Sequence, residues 1–252
     1  MRKDFNKNIR RQTTAQNIYS GTQELLDGEQ GLAGYNLDLV SKLFKGLKLS
    51  ESGNFESVVD FGAGTGTLAE VWKKEFGIKP ICVEIDPQLI EQLEKKGFST
   101  YADINQISLE ITAIYSSNVL EHIEDDVEAL RRLKNKMKEG GMLAIYVPAL
   151  PFLFSDLDRN VGHFRRYKKN ELIKKVSLAG FKIRTCYYND CLGVLASLAL
   201  RILGYKNKVG LGSKKSLIFY DRFIYPISMT LDKVLFKHVI GKNLFLFAEN
   251  KI

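Results

Sequence analysis

VVDFGAGTGTLAE, residues 58–70, carries an apolar strand straight into a glycine turn and out again into a helix. Its β-branched opening shows no polar alternation, which marks a strand covered on both faces. Gly62, Gly64 and Gly66 then leave bare backbone at the carboxyl edge of a sheet, where a Cβ would collide with a nucleotide-like ligand. A helix pattern, TLAEVWKKEF (67–76), follows directly. A dinucleotide fingerprint, G-x-G-x-x-G, needs its third glycine at position 67, and that residue is Thr67. The spacing here is G-x-G-x-G, which disfavours a pyrophosphate ligand.

Working outward, PICVEI (80–85), residues 99–102, ITAIYSSN (111–118) and MLAIYVP (142–148) read as strands, with helix patterns over 87–96 and 123–138. Strands separated by helices at this spacing are parallel strands joined by crossovers, so the fold class is α/β with a doubly wound sheet. Past a loop at 149–167, the sequence predicts a helix over 168–179 stopped by Gly180, then strands at 181–188 and 243–250. The 54 residues between those strands, 189–242, form a helical insertion. It contains an apolar run (191–204), a basic glycine-rich linker (205–215) and an amphipathic stretch (216–236). Residues 1–55 are read as an N-terminal helical segment and 56–252 as one domain. Within the first, 36–47 predicts a helix with Leu37, Val40, Leu43 and Phe44 on one stripe. Packing is the plainer role for that segment; the other is closure over a ligand, with Tyr19 or Tyr35 reaching inward.

The chain's 252 residues are 45% hydrophobic and 26% charged, enough for a sizeable core. That excludes a disordered chain, a coiled coil and a disulfide scaffold. The net charge of +8 hides two opposite halves. Residues 1–158 carry 18 basic and 24 acidic groups, whereas 159–252 carry 19 and 5. The second half therefore points to an anionic partner or surface, with a solvated basic face as the alternative. Three cysteines, Cys82, Cys186 and Cys191, are too few for a disulfide framework and none sits at metal-ligand spacing with a histidine. No metal is expected, and the compartment is expected to be reducing. The basic N-terminus has no apolar run behind it, and the longest apolar stretch, fourteen residues with Arg201 inside it, falls short of the roughly 20 a span needs. A cytoplasmic protein is expected, with peripheral contact at the inner membrane face as a further option.

Two acids extend the glycine turn into a set. Glu84, 18 residues past Gly66, ends the second strand where ribose hydroxyls would be met, and Asp103 ends the third, where a carboxylate could meet an adenine amino group. With these residues the sequence resembles the class I S-adenosylmethionine-dependent methyltransferases, over about Glu56 to Gly180 and again at the final strand. The resemblance implies a seven-stranded Rossmann-like sheet of order 3-2-1-4-5-7-6 with the last strand antiparallel, and S-adenosylmethionine as cofactor. It implies cofactor contacts from Asp60, Gly62, Ala63, Gly64 and Gly66, from Glu84 at the ribose, from Ile85 beside it in sequence, and from Asp103 and Ile104 at the adenine. In SNVLEHIEDD (117–126) it places Asn118 beside the cofactor and His122 near its edge.

The loop PFLFSDLDRNVGHFRRYKKNEL (151–172) resembles a subgroup of bacterial methyltransferases often encoded beside glycosyltransferases and genes for cell-surface polysaccharide or lipid. Methyl transfer to an alcohol or amine needs the acceptor aligned and a proton removed. His163, in the loop over the site, is the candidate general base; ordering the loop is its alternative role. Arg165 and Arg166, with Tyr167, are candidates for holding an anionic group of the substrate, unless Asp156 or Asp158 pairs with the arginines. The expected acceptor is an oxygen or nitrogen on a small, sugar-like or lipid-linked molecule. Residues 189–242 could meet an anionic membrane surface, pack on the sheet or join a second copy in an oligomer; nucleic acid ranks last, because Phe219, Tyr220, Phe223 and Tyr225 fall at helical spacing. Two competing functions share the fold: a nicotinamide-dependent oxidoreductase, and a cofactor-binding partner protein without catalysis.

Overall fold

The structure, a computed structural model, describes residues 31–48, 57–203 and 213–251; Tyr19 and most of the glycine-rich linker lie outside these residues. Seven strands form one sheet: β1 (Val58–Phe61), β2 (Ile81–Val83), β3 (Thr100–Tyr101), β4 (Ile111–Ser117), β5 (Met137–Pro148), β6 (Lys182–Asn189) and β7 (Asn243–Glu249). Their order is β3-β2-β1-β4-β5-β7-β6, with parallel pairing from β3 to β5 and β7 antiparallel to both of its neighbours. This is the order the family resemblance implies. The switch in direction of winding falls beside β1, so the crevice at the carboxyl ends of β1 and β4 is where a ligand enters.

Helices α1 (Ala33–Leu47), α2 (Thr67–Phe76), α3 (Pro87–Lys95), α4 (Asp126–Lys136), α5 (Asp156–Asn160) and α6 (Lys169–Leu178) cover the sheet. Alternate residues of each strand feed two layers. Val59, Ile114, Leu143 and Ile145 face Leu130 and Leu133 of α4 and Leu172 and Val176 of α6. On the other side Val58, Ala113, Tyr115 and Tyr146 face Leu39, Val40 and Leu43 of α1 and Trp72 of α2. Each fully buried large side chain of this kind stabilises the fold by about 1.5–3 kcal/mol, which is why the strands are apolar on both faces. The N-terminal helix is therefore part of the core, and Gly46 allows it: an added Cβ there would run into the ring of Phe247.

Three strand boundaries depart from the sequence expectation. β2 ends at Val83 because the Glu84 carboxylate accepts the backbone N–H groups of Ile85 and Asp86 (2.8 and 3.0 Å), which leaves none for a ladder. β3 is two residues long because Asp103 caps a short 3-10 turn through Asn105 N–H. β5 begins at Met137 rather than at Met142, running through Gly140 and Gly141; the ladder with β4 shifts register there.

The insertion resolves into α7 (Gly193–Leu203) and one unbroken helical run, α8 (Lys214–Phe219), a wider turn (Tyr220–Ile224) and α9 (Tyr225–Val234). It is tied to α1 at a distance in sequence: the Asp221 carboxylate accepts N–H bonds from Gly34 (2.9 Å) and Tyr35 (2.7 Å) at the start of that helix. Among the described residues no helix is long and apolar enough to cross a membrane.

Candidate active site

The glycine turn and the loop after β5 meet in one cavity of about 480 Å³. Its floor is Asp60, Gly62 and Ala63 from the end of β1, with Ser117 and Asn118 from the end of β4. His122, Asp158, His163 and Arg166 form one wall, and Leu217 and Tyr220 with Ala196 and Ser197 of the insertion close the top. That size suits a small-molecule or cofactor site.

Backbone conformation at the floor is special. Gly62 has φ +81°, and a Cβ there would meet Val119; Asn118, though not glycine, is held at φ +53°. Non-glycine residues in that region cost of order 1–3 kcal/mol and persist where the surroundings impose them, often at ligand sites. Here the Asn118 N–H donates to Tyr146 O at 2.8 Å, which fixes the turn.

Asp60 is buried, and its Oδ2 has no hydrogen-bond partner. Burial lifts its carboxyl to about 7; the nearby Tyr115 hydroxyl pulls the other way and Glu84 adds to the rise. An orphaned carboxylate oxygen beside bare glycine backbone fits S-adenosylmethionine, whose cationic amino group would supply the missing donor. Exposed Ile85, at the end of β2, offers an apolar surface suited to the flat part of such a ligand.

The other expected cofactor contacts are placed differently. Glu84 is buried and holds the glycine turn: its Oε2 accepts Gly64 N–H at 2.8 Å while Oε1 takes Ile85 and Asp86. Asp103 is half exposed and paired with Arg132 (2.6 Å), and the Asn105 N–H with that arginine keeps its carboxyl below the usual range. Ile104 is a core residue, not a ligand face. Gly66 begins α2 in a left-handed conformation, packed where a Cβ would lie 2.6 Å from Leu93.

In the loop, Asp158 organises the wall. Its Oδ1 lies 2.9 Å from His163 Nδ1 and accepts Arg166 Nε at 2.7 Å, while Oδ2 takes the N–H and hydroxyl of Ser155. Burial alone would raise the Asp158 carboxyl, but His163, Arg166 and Ser155 together hold it far below the usual range. Arg166 is itself buried, and its Nη1 has no partner. His122 stands edge-on to His163 with ring centroids 4.5 Å apart; burial first, then His163, lowers its pKa to about 4, so it is neutral at pH 7. Glu121, His122 and His163 bring one potential ligand atom each within 4.8 Å of one another, the single grouping among the described residues with the make-up of a cation site.

Arg165 and Tyr167 are not where a substrate role needs them. Both bond Asp126 (2.8 Å each), which Lys175 also reaches at 2.8 Å, and neither lines the cavity. The reason is local: β-bridge pairing of Tyr167 with Ala149 turns the 165 and 167 side chains toward α4 and leaves 166 facing the cavity. The sequence reading did not foresee the roof residues Ala196, Ser197, Leu217 and Tyr220. Small and apolar side chains carry no chemical signal until the helix bearing them is oriented. Asp158 left a faint one, the Ser155–Asp158 capping pair that turns its carboxylate inward.

A family model described as a methyltransferase domain matches residues 30–185. No curated protein matches the sequence significantly. Among solved structures, similar folds include a SAM-dependent methyltransferase from Archaeoglobus fulgidus (18% identity, TM-score 0.55, covering 85% of this chain and 94% of that one). Another is geranyl diphosphate C-methyltransferase from Streptomyces coelicolor A3(2), in complex with Mg2+, geranyl diphosphate and S-adenosyl-L-homocysteine (12%, 0.55, 84% and 78%). Streptomyces venezuelae DesVI is a third (15%, 0.51, 63% and 88%). The structural likenesses establish the fold, and the family match sets aside the oxidoreductase and the non-catalytic partner. Matched by the family model over more than half its length, and with the strand order of that fold, the chain belongs to the methyltransferase domain family and is an S-adenosylmethionine-dependent methyltransferase.

Proposed function

We propose that the enzyme methylates an oxygen or nitrogen of a small, sugar-like or lipid-linked acceptor held between the glycine turn and the helical insertion. One observation carries this reading: Asp60, Gly62 and Asn118 share a single cavity with His163 and Arg166. Cofactor-side and acceptor-side chemistry are thereby within reach of each other. The likeness of the 151–172 loop to the bacterial subgroup associated with glycosyltransferases supports an acceptor from cell-surface polysaccharide or lipid.

When bound, S-adenosylmethionine supplies an activated methyl carbon on a sulfonium sulfur. Asp60, with the backbone of Gly62 and Ala63, would hold its methionine part, and Glu84 keeps the turn in shape through Gly64. Acceptor deprotonation falls to His163. Asp158 accepts Nδ1–H and so selects the tautomer whose Nε2 can take the proton, the arrangement by which a carboxylate orients an imidazole base. Arg166 donates its unpaired Nη1–H to an acceptor oxygen and fixes the orientation of the attacking group. Leu32, Leu39 and Leu217 add an apolar stretch to the lining, which fits an acceptor with a hydrocarbon portion.

Calorimetry with S-adenosylhomocysteine tests the cofactor half: binding to the pure protein, weakened at least tenfold by Asp60→Ala, is the expected result. Turnover of a panel of hydroxylated and amino sugars and their lipid-linked forms, read as S-adenosylhomocysteine release, tests the acceptor half. Release from none of these, alongside intact cofactor binding, would reject the acceptor class and leave the family assignment standing.

A further inference from the structure

The unbroken helical run from Lys214 to Val234 has two faces of different character. Its inner face, Leu217, Tyr220, Tyr225, Ser228 and Asp232, is wholly or partly buried against the body of the protein. Its outer face should then be polar. Instead Ile218, Phe219, Phe223, Ile227 and Val234, at helical spacing, are 43–81% exposed. An apolar patch of that kind on a surface helix marks an interaction site.

Charge identifies the occupant. Lys214, Lys215, Arg222 and Lys233 are exposed along the same helix. Its two acids are turned away from that side: Asp221 accepts the N–H bonds of Gly34 and Tyr35, and buried Asp232 accepts those of Asp190 (2.6 Å) and Cys191 (3.1 Å). The outer face thus carries bulky apolar side chains and only positive charge. A second copy on this face would set lysine against lysine. Nucleic acid would leave Ile218, Ile227 and Val234 without a use. An anionic bilayer satisfies both halves, since apolar side chains enter the acyl boundary while each nearby cation gains from the surface potential.

We infer that the outer face of the 214–234 helix docks the enzyme on an anionic membrane surface. Leu217 and Tyr220, on the inner face of the same helix, roof the cavity. Docking therefore sets the cavity roof at the interface, where a lipid-linked acceptor resides; this last consequence rests on the proposed function, whereas the docking itself does not.

Co-sedimentation of the full chain with vesicles of phosphatidylcholine, with and without phosphatidylglycerol, tests the inference without any acceptor. Binding to the anionic vesicles only is expected, falling at least tenfold as added salt shortens the Debye length from about 10 Å to about 3 Å. Lys214→Gln with Lys215→Gln should weaken it roughly tenfold or more, and Phe219→Ser with Phe223→Ser should abolish it. Circular dichroism and S-adenosylhomocysteine binding, measured on the same variants, should be unchanged. No binding to anionic vesicles, or equal binding to both vesicle types, overturns the inference. So does concentration-dependent self-association that the phenylalanine variants remove, which would give the face to a second copy, and so does nucleic-acid binding that the lysine variants remove.

Discussion

His163 Nδ1 lies 2.9 Å from Asp158 Oδ1, five residues back along the chain and across the turn at Gly162. The pair lines the cavity shared with the glycine turn, the position the proposed general base requires.

Replacing His163 by glutamine should lower kcat by about 10²–10³-fold while S-adenosylhomocysteine affinity stays within about twofold of wild type. Stopped assays and calorimetry on the same preparation separate the two. With His163 in its proposed role as a base rather than a metal ligand, turnover in the presence of a chelator should equal turnover without it. Full loss on chelation, restored by a divalent ion, would reassign Glu121, His122 and His163 to a cation.

Asp60 makes the cofactor-free protein pH-sensitive. Its folded value of about 7 lies above the ordinary 3.8, so its contribution to stability is present below about 4 and is lost as pH rises through 7. Asp60→Asn, which cannot ionise, should melt at a higher temperature than wild type at pH 8, by on the order of 4 kcal/mol in stability, and match it near pH 4. The same variant should bind S-adenosylhomocysteine less tightly.

Asp126 collects Arg165, Tyr167 and Lys175 with almost no exposure to solvent. Those three partners together outweigh burial and keep its carboxyl below the usual range, so its stabilisation is present above the ordinary carboxylate value and is lost as pH falls through the depressed one. Asp126→Ala should cost about 3 kcal/mol, because part-buried Arg165 and Lys175 lose the carboxylate they share and the buried Tyr167 hydroxyl loses its acceptor, whereas Asp156→Ala, an exposed pair with Arg159, should cost less than about 1 kcal/mol. Urea denaturation of both variants gives the comparison.

Gly46→Ala should detach α1 from the sheet, since its Cβ would occupy the space of the Phe247 ring. A loss of about 1–3 kcal/mol is expected from overpacking. Because Tyr35 and Leu39 of α1 line the cavity, cofactor affinity should fall along with stability. A thermal melt with and without S-adenosylhomocysteine reads both.

The sheet was legible because its signals are local. A β-branched run before Gly62 and an alternation of strands and helices need no distant partner to be recognised, and strand order followed from the family resemblance that Asp60, the glycines and Glu84 carry. Boundaries were misjudged at Glu84, Asp103 and Gly140, where a side chain or a register shift competes with the ladder.

The residues of the site were legible as types and less so as roles. Sequence by itself determined the α/β class, the glycine turn, and that His163 and Arg166 belong to one loop. Only the tertiary structure decided that Glu84 braces the turn, that Asp103 pairs with Arg132, that Arg165 and Tyr167 belong to Asp126, and that the insertion roofs the cavity with its basic, apolar face turned outward. The physical reason is that secondary structure follows from spacing along the chain. A carboxylate's partner, or the direction a helix face points, depends on which distant groups arrive within about 3 Å.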